Sequence, residues 1–462
     1  MPTSNADRAA SSRLTLIATS LGFALVILDV TVVNVALERI KASLETDVTG
    51  LQWVINAYTL VFASLLLTAG ALGDRFGAKR IFINGFALFT AASLICGLAG
   101  SITVLIAGRI AQGVGAALCV PASLALLNAS YPDAAARAWA VSIWAGVGGL
   151  ALAAGPVIGG VMVDRFGWPS IFFLNLPLGL LGLWLTLSCA PSGSRTPDRG
   201  LDLVGQVLAI IALGGLTFGF IESGELGWTH PFVVAAFCGF AIAGASFLIT
   251  EARSADPMLP LSLFRAPAVG CACLVGLLTN FAYYGLMFVL SLFFQAAKGY
   301  SPLATGLAFL PMTALVTIAN LAAGTLTARF GPRLPMVLGQ ALAAFGYFAL
   351  AGTDAGTPYG IIVVPLLAAG TGVALTVPSM TAAVLANVEK PRAGIAAGAL
   401  NAARQTGGVI GVGVFGSLVA GAPDKLLGGM HLALMLAGAA LAIGCLVSIL
   451  GVGRSINFRR RS

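Results

Sequence analysis

What this sequence is short of narrows its class before any motif is read. Only 9% of its 462 residues are charged, against 58% hydrophobic, and its mean hydropathy is +0.97. A soluble globular domain carries roughly 25% charged residues, so the deficit excludes one and puts most of the chain in a bilayer. Histidine is almost missing: His230 and His431 have no ligand spacing, which leaves zinc and histidine-based catalysis without residues. No P-loop occurs, which argues against direct ATP drive, and no nucleophile elbow or zinc motif marks an enzyme. The seven cysteines are odd in number and lie in or beside apolar segments, so they read as inert thiols rather than a disulfide framework. A short polar lead precedes about 24 apolar residues, too long for a signal-peptide core, and the first segment reads as a retained span.

Apolar segments of about 20 residues or more, long enough to cross the hydrocarbon core, fall at 14–37, 51–72, 81–99, 102–128, 138–163, 169–189, 203–222, 231–250, 268–294, 303–328, 334–353, 358–387, 395–420 and 430–452. Fourteen spans leave both ends on one side. Two arginines, Arg109 and Arg404, fall inside spans. Of the other twenty-three Lys and Arg, eighteen lie on the tails and on alternate loops, and the opposite loops hold five: Arg39, Lys41, Arg165, Lys298 and Lys425. Cytoplasmic loops carry such an excess, so both termini are expected in the cytoplasm. The net charge of +8 is then an orientation signal, not a nucleic-acid footprint. The closing Arg459-Arg460-Arg461 is another such signal or an anionic-lipid contact.

An internal repeat organises the spans. Ala111-Gln-Gly-Val-Gly-Ala-Ala-Leu-Cys-Val-Pro121 matches Ala368-Ala-Gly-Thr-Gly-Val-Ala-Leu-Thr-Val-Pro378, Arg75-Phe-Gly77 matches Arg329-Phe-Gly331, and Gly155, Val157, Ile158 and Gly159 match Gly407, Val409, Ile410 and Gly411. Order is preserved and the offset nearly so, so span 4 corresponds to span 12, and two six-span halves flank two extra spans. The expected organisation is a cytoplasmic N-terminal tail at 1–13, a six-helix bundle at 14–190, a linker with two extra spans at 191–265, a second six-helix bundle at 266–452 and a basic tail at 453–462. Parallel six-span repeats are the arrangement of transporters that rock around a midplane site.

Several short motifs are distinctive. Leu28-Asp-Val-Thr-Val-Val-Asn-Val-Ala-Leu37 opens the membrane portion, followed by Gln52-Trp-Val-Ile-Asn-Ala-Tyr-Thr-Leu60 and Gly70-Ala-Leu-Gly-Asp-Arg-Phe-Gly-Ala-Lys-Arg80. Further on come Arg109-Ile-Ala-Gln-Gly-Val-Gly115, Gly155-Pro156 with Gly159-Gly160, and Asn175-Leu-Pro-Leu-Gly179. Together they resemble the fourteen-span drug–proton antiporters of the major facilitator superfamily, the QacA/EmrB type of multidrug efflux transporter. Departures are Glu38 where Pro is usual, Ala78 where a basic residue is usual, and Trp168-Pro169-Ser170 in place of Trp-Arg-Trp. The resemblance implies an all-α integral membrane protein of the major facilitator fold, with two six-helix bundles plus two extra linker helices. It further implies a non-enzyme in the inner membrane that exports amphiphilic or hydrophobic compounds, cationic ones included. The drive would be the proton gradient, with no cofactor, no nucleic-acid partner and a monomeric state. A lipid flippase or a nutrient importer on the same fold is the alternative.

Within this frame, Asp29 and Arg109 are the sharpest pair. Asp29 lies eight residues from the outer end of span 1 and Arg109 seven from the start of span 4, so both sit about 10–12 Å below the outer face. Opposite charges at one depth are expected to pair, either as a structural tie or as a proton-exchanging site. Gln112 and Asn34 lie near enough to support them, and Glu222 is a second protonatable candidate. Asp74 and Arg75 are expected at a turn where Gly70, Gly73 and Gly77 permit sharp backbone angles and Lys79 and Arg80 add charge, a latch between conformations. Gly155, Pro156, Gly159 and Gly160 read as a tightly packed, moving seam. Candidate substrate contacts are Trp53, Asn56, Tyr58, Asn280, Phe281, Tyr284, Phe288, Asn401, Arg404 and Gln405. A stripe such as Phe281, Tyr284 and Phe288 is more often plain packing, though beside Asn280 it would suit a large apolar compound. Arg404 near mid-depth needs a partner, and no acidic residue is visible in the second-half spans.

Overall fold

A computed structural model describes residues 5–191, 202–254, 257–389, 392–420 and 425–453. The described residues are helical, without strands. Fifteen helices follow one another: α1 (Asn5–Ser43), α2 (Val48–Phe76), α3 (Ala78–Gly97), α4 (Ile102–Ser130), α5 (Ala134–Phe166), α6 (Ser170–Phe173), α7 (Asn175–Cys189), α8 (Leu203–Leu226), α9 (Pro231–Arg253), α10 (Pro267–Leu292), α11 (Pro302–Phe330), α12 (Arg333–Leu350), α13 (Tyr359–Ala386), α14 (Ala393–Val419) and α15 (Lys425–Gly451). Helices α6 and α7 form one span with a break at Leu174, because Pro177 has no N–H to give the Phe173 carbonyl. Thirteen spans among the described residues are long and apolar enough to cross a membrane. The fourteenth, α14, is long enough but diluted by Asn401, Arg404 and Gln405. Helices overrun the apolar segments: α1 continues to Ser43, six residues past the expected end of span 1. The stretch 192–201 and the basic tail beyond 453, both carrying expected cytoplasmic charge, lie outside the described residues.

The chain divides into two compact units. Unit 1 comprises Met1–Thr46, Trp53–Ile210 and Ser301–Gly306; unit 2 comprises Asp47–Gln52, Ile211–Tyr300 and Leu307–Ser462. The sequence repeat is a packing repeat, and each copy is used alike inside its own unit. In unit 1, Gly113 of α4 lies against Tyr58 and Val61 of α2, and Gly115 against Gly85 and Phe89 of α3. In unit 2, Gly370 of α13 lies against Met312 and Val316 of α11, and Gly372 against Gly339 and Ala343 of α12. The Arg-Phe-Gly echo holds a shared backbone demand: Gly77 has φ 95° and Gly331 φ 78°, the left-handed region in which glycine carries no side-chain penalty. Without a hydrophobic drive between helices in lipid, small residues that admit close van der Waals packing hold such bundles together.

One extra helix is docked at both ends. Gln206 near the start of α8 donates to Ser64 O (2.9 Å) and accepts from the Thr68 hydroxyl, within unit 1. Its remainder belongs to unit 2, where Gly224 lies against Ser417 of α14.

Candidate functional site

The centre of unit 1 holds a charged cluster sealed from solvent. Asp29 is 0% exposed and Arg109 1%. Arg109 Nη1 donates to Asp29 Oδ2 and to Gln112 Oε1 (2.9 Å), and its Nε donates to Val54 O (2.9 Å). The guanidinium stacks over the Tyr58 ring, 4.4 Å from its centroid, with Phe172 at 5.9 Å. The other carboxylate oxygen, Asp29 Oδ1, accepts from Gln112 Nε2 (3.1 Å) and Asn175 Nδ2 (3.1 Å). Ser93 Oγ ties the two amides together, accepting from Gln112 (2.8 Å) and Asn175 (3.3 Å) while donating to Phe89 O (2.8 Å). Hydrogen bonds thus bring five helices to one ion pair, α1, α2, α3, α4 and α7, and α6 adds the Phe172 ring. Each charge would be expensive alone at this depth, and together with polar donors on every side they are compensated.

Of the expected site residues, the structure brings Asp29, Arg109, Gln112 and Tyr58 into this cluster. Asn175, which opens the Asn175–Gly179 motif, and Ser93 join it although neither is among the expected site residues. Asn34 is buried and donates to Val30 O (2.9 Å), one turn back on its own helix. Asn56 is buried on α2 and Trp53 half-buried. Glu222 is in unit 2, near the far end of α8, close to Glu225, which itself lies beside Asp47 and Thr49.

The segment 70–80 departs from expectation. Asp74 and Arg75 are not in a turn: α2 continues through Phe76, so both sit in its last turn, and Gly77 alone joins α2 to α3. The sharp angle falls on Gly77, whereas Gly70 and Gly73 are helical with open space where a side chain would project. Lys79 has a specific job as well as a charge. Its Nζ donates to Leu187 O (3.2 Å) and Ala190 O (2.8 Å), closing the carbonyl end of α7. Arg80 is exposed.

The Gly155–Gly160 segment packs on two sides within unit 1. Gly155 abuts Thr31 and Leu28 of α1, and Gly159 abuts Val32 and Val35. Gly160 lies against Pro302 and Leu303 at the start of α11, and Gly306 against Pro156 and Val157. Asp164 Oδ2 accepts from Leu303 N (2.9 Å), a cap on α11. The corresponding glycines of unit 2, Gly407 and Gly411, sit on Leu277 and Phe281 of α10.

In unit 2 the aromatic stripe packs. Phe281 meets Phe415 edge-on (5.3 Å), Tyr284 covers Gly408, and Phe288 is fully buried. Asn280 is buried beside them, and Asn401, Arg404 and Gln405 are half-buried on α14.

Residues 19–412 match the family model described as Major Facilitator Superfamily. The chain belongs to that superfamily. Similar proteins include Multidrug resistance protein Stp of Mycobacterium tuberculosis (39% identical over 88% of this chain and 76% of that protein) and Methylenomycin A resistance protein of Streptomyces coelicolor (39%, 89% and 86%). Tetracenomycin C resistance and export protein of Streptomyces glaucescens is 33% identical over 89% of this chain and 77% of its own. Among solved structures, a bacterial homolog to the human lysosomal transporter Spinster, inward-facing and unoccupied, matches with TM-score 0.70 at 18% identity over 97% of this chain and 98% of that one. A D-xylose-proton symporter matches with TM-score 0.68 at 14% identity, over 96% and 98%. At such identities the structures speak for the fold alone. The superfamily is one of multi-pass membrane transporters, and this chain is an all-α member of it.

Proposed function

We propose that the protein is a proton-coupled antiporter exporting amphiphilic drugs or antibiotics across the cytoplasmic membrane by alternating access, with both termini inside. The observation carrying the coupling half is the sealed Asp29–Arg109 pair; the names of its relatives support drug export. Two six-helix bundles, 14–190 and 266–452, move against each other, with 191–265 inserted between them as linker and extra helices. While the pair is closed, Arg109, Gln112 and Asn175 compensate the Asp29 carboxylate. When a rearrangement parts the pair, a lone charge in apolar surroundings is neutralised by a proton taken from the outer side. Asn175 is suited to both states. Its Oδ1 is buried without a partner, and turning the amide over presents that oxygen as an acceptor to the protonated Asp29. Release of the proton inside restores the pair and accompanies loading of the next substrate molecule.

In this reading the junction at Asp74–Arg80 and the α5 glycine face are the conformational gates. Glu222 is an auxiliary acid at the outer end of α8. The protein works as a monomer, without cofactor beyond the proton gradient. The test is drug susceptibility of an efflux-deficient host expressing the protein: the wild type raises tolerance and Asp29→Asn, at equal membrane abundance, does not. An Asp29→Asn protein that still protects would refute the coupling role.

A further inference from the structure

The two units treat their intramembrane arginines in opposite ways. Arg109 has a carboxylate, a carbonyl, an amide oxygen and an aromatic face. Arg404 lies eleven residues into α14, about 16 Å along a helix rising 1.5 Å per residue, at the depth of the hydrocarbon core. Its stem packs on Gly276 of α10 and beside Leu400. Nε is buried with no acceptor, the neighbouring Gln405 Oε1 is buried with no donor, and part of the side chain remains exposed. Tyr284 is close enough to interact electrostatically, and Asn401 is one turn back on α14. None of the helices α10 to α15 contains an aspartate or glutamate. Asp29, in unit 1, already has both oxygens engaged. A tie that merely braces the fold would resemble Arg109, with protein acceptors around it; Arg404 has a buried Nε without one.

We propose that Arg404 binds a negatively charged group of the cargo, so that the transporter selects amphiphilic anions: a carboxylate, phenolate or enolate on an apolar body. This rests on the export reading above and deepens it. The guanidinium offers a planar fork of donors matched to a carboxylate, strengthened by apolar surroundings. Tyr284 and Asn401 can add neutral hydrogen bonds, and the cargo supplies the acidic partner that the six helices lack. The charge also suits the direction of travel, because an inside-negative potential pushes an anion outward.

The test offers three dansyl probes of common body to wild-type, Arg404→Gln and Arg404→Lys proteins in proteoliposomes with an inside-acid gradient: dansyl-6-aminohexanoate, its methyl ester, and dansylcadaverine. Binding of each is measured in parallel by dansyl anisotropy without a gradient. The wild type is expected to bind and move the carboxylate at least tenfold better than the ester or the amine. Arg404→Gln is expected to bring the carboxylate-to-ester ratio to about one, with Arg404→Lys between. Equal handling of the three probes by the wild type, preference for the amine, or an Arg404→Gln protein that loses all three by one factor would overturn the proposal. If Arg404→Gln does not fold, the wild-type ranking and the Arg404→Lys ratio decide. Carboxylate binding that depends on Arg404 without gradient-driven transport would instead sink the export reading and leave the anion site standing.

Discussion

Replacing Arg109 by Gln leaves Asp29 in the same sealed pocket with two amide donors, Gln112 and Asn175, and no countercharge. Breaking a buried pair from one side costs about 3–5 kcal/mol, because the remaining charge stays desolvated. The converse change, Asp29→Asn, is milder. Arg109 keeps Val54 O, Gln112 Oε1 and the Tyr58 face at 4.4 Å, and a cation–π contact of that kind contributes about 0.5–2 kcal/mol. Removing both charges restores neutrality, so Asp29→Asn/Arg109→Gln is expected to be more stable than the sum of the singles by about 2 kcal/mol or more. Reversible denaturant unfolding in detergent micelles near pH 7.5, on all four proteins, measures this coupling. Singles that add to the double within about 0.5 kcal/mol would mean the two side chains do not depend on each other, and both the energetic account and the coupling proposal would fall together.

Three further outcomes follow from other contacts. Gly159→Val sets a Cβ 3.0 Å from both the Cα and the carbonyl oxygen of Val32; backbone cannot yield like a flexible side chain, so a loss of about 1–3 kcal/mol is expected, with Gly73→Ala, where the space is open, near neutral in the same unfolding assay. Lys79→Met deprives Leu187 and Ala190 of their donor and should cost about 1–2 kcal/mol, seen as faster amide exchange in the last turn of α7. In the exposed loop after α12, the Thr357 hydroxyl and backbone amides hold the Asp354 carboxyl below its ordinary 3.8. A depressed value stabilises the fold above 3.8, and that contribution disappears as pH falls through the lower folded value. Exchange of the amides at 354–357 should therefore be protected at pH 6 and lose that extra protection near pH 3, with Asp354→Ala unprotected at both.

The membrane fold was legible because its signals are expensive to counterfeit: long uncharged runs, alternate-loop arginines, and glycine echoes that turn out to seat equivalent helices. Asp29 and Arg109 were legible for the same reason, since a charge in an apolar run must be compensated at its own depth. Asn175 opens a distinctive motif, yet neither it nor Ser93 stands out in sequence as a partner of Asp29, because small neutral polar residues are cheap in helices. Thr19 and Ser64 look just like Ser93 in sequence but simply bond a carbonyl one turn back, and only the approach of α4 and α7 gives Ser93 a second task. The extent of α2 was misjudged for a different reason. The glycines and the charges at 70–75 read as a helix end, yet an open face tolerates glycine and the helix runs on to Phe76. Arg404 shows the reverse situation: sequence pointed to an arginine in need of a partner, and folding left the need in place.

The single-residue connection at Gly77 leaves no slack between two long rods. A flexible loop would absorb an axial twist or a small slide; one glycine in a left-handed conformation passes it on. An added residue there would lengthen the link and introduce the slack that is now missing, loosening the seat of α3 on α4 where Gly85 meets Gly115. Tags, cleavage sites or natural insertions should accordingly be poorly tolerated between Phe76 and Ala78, where the chain functions as an elbow joint rather than a leash.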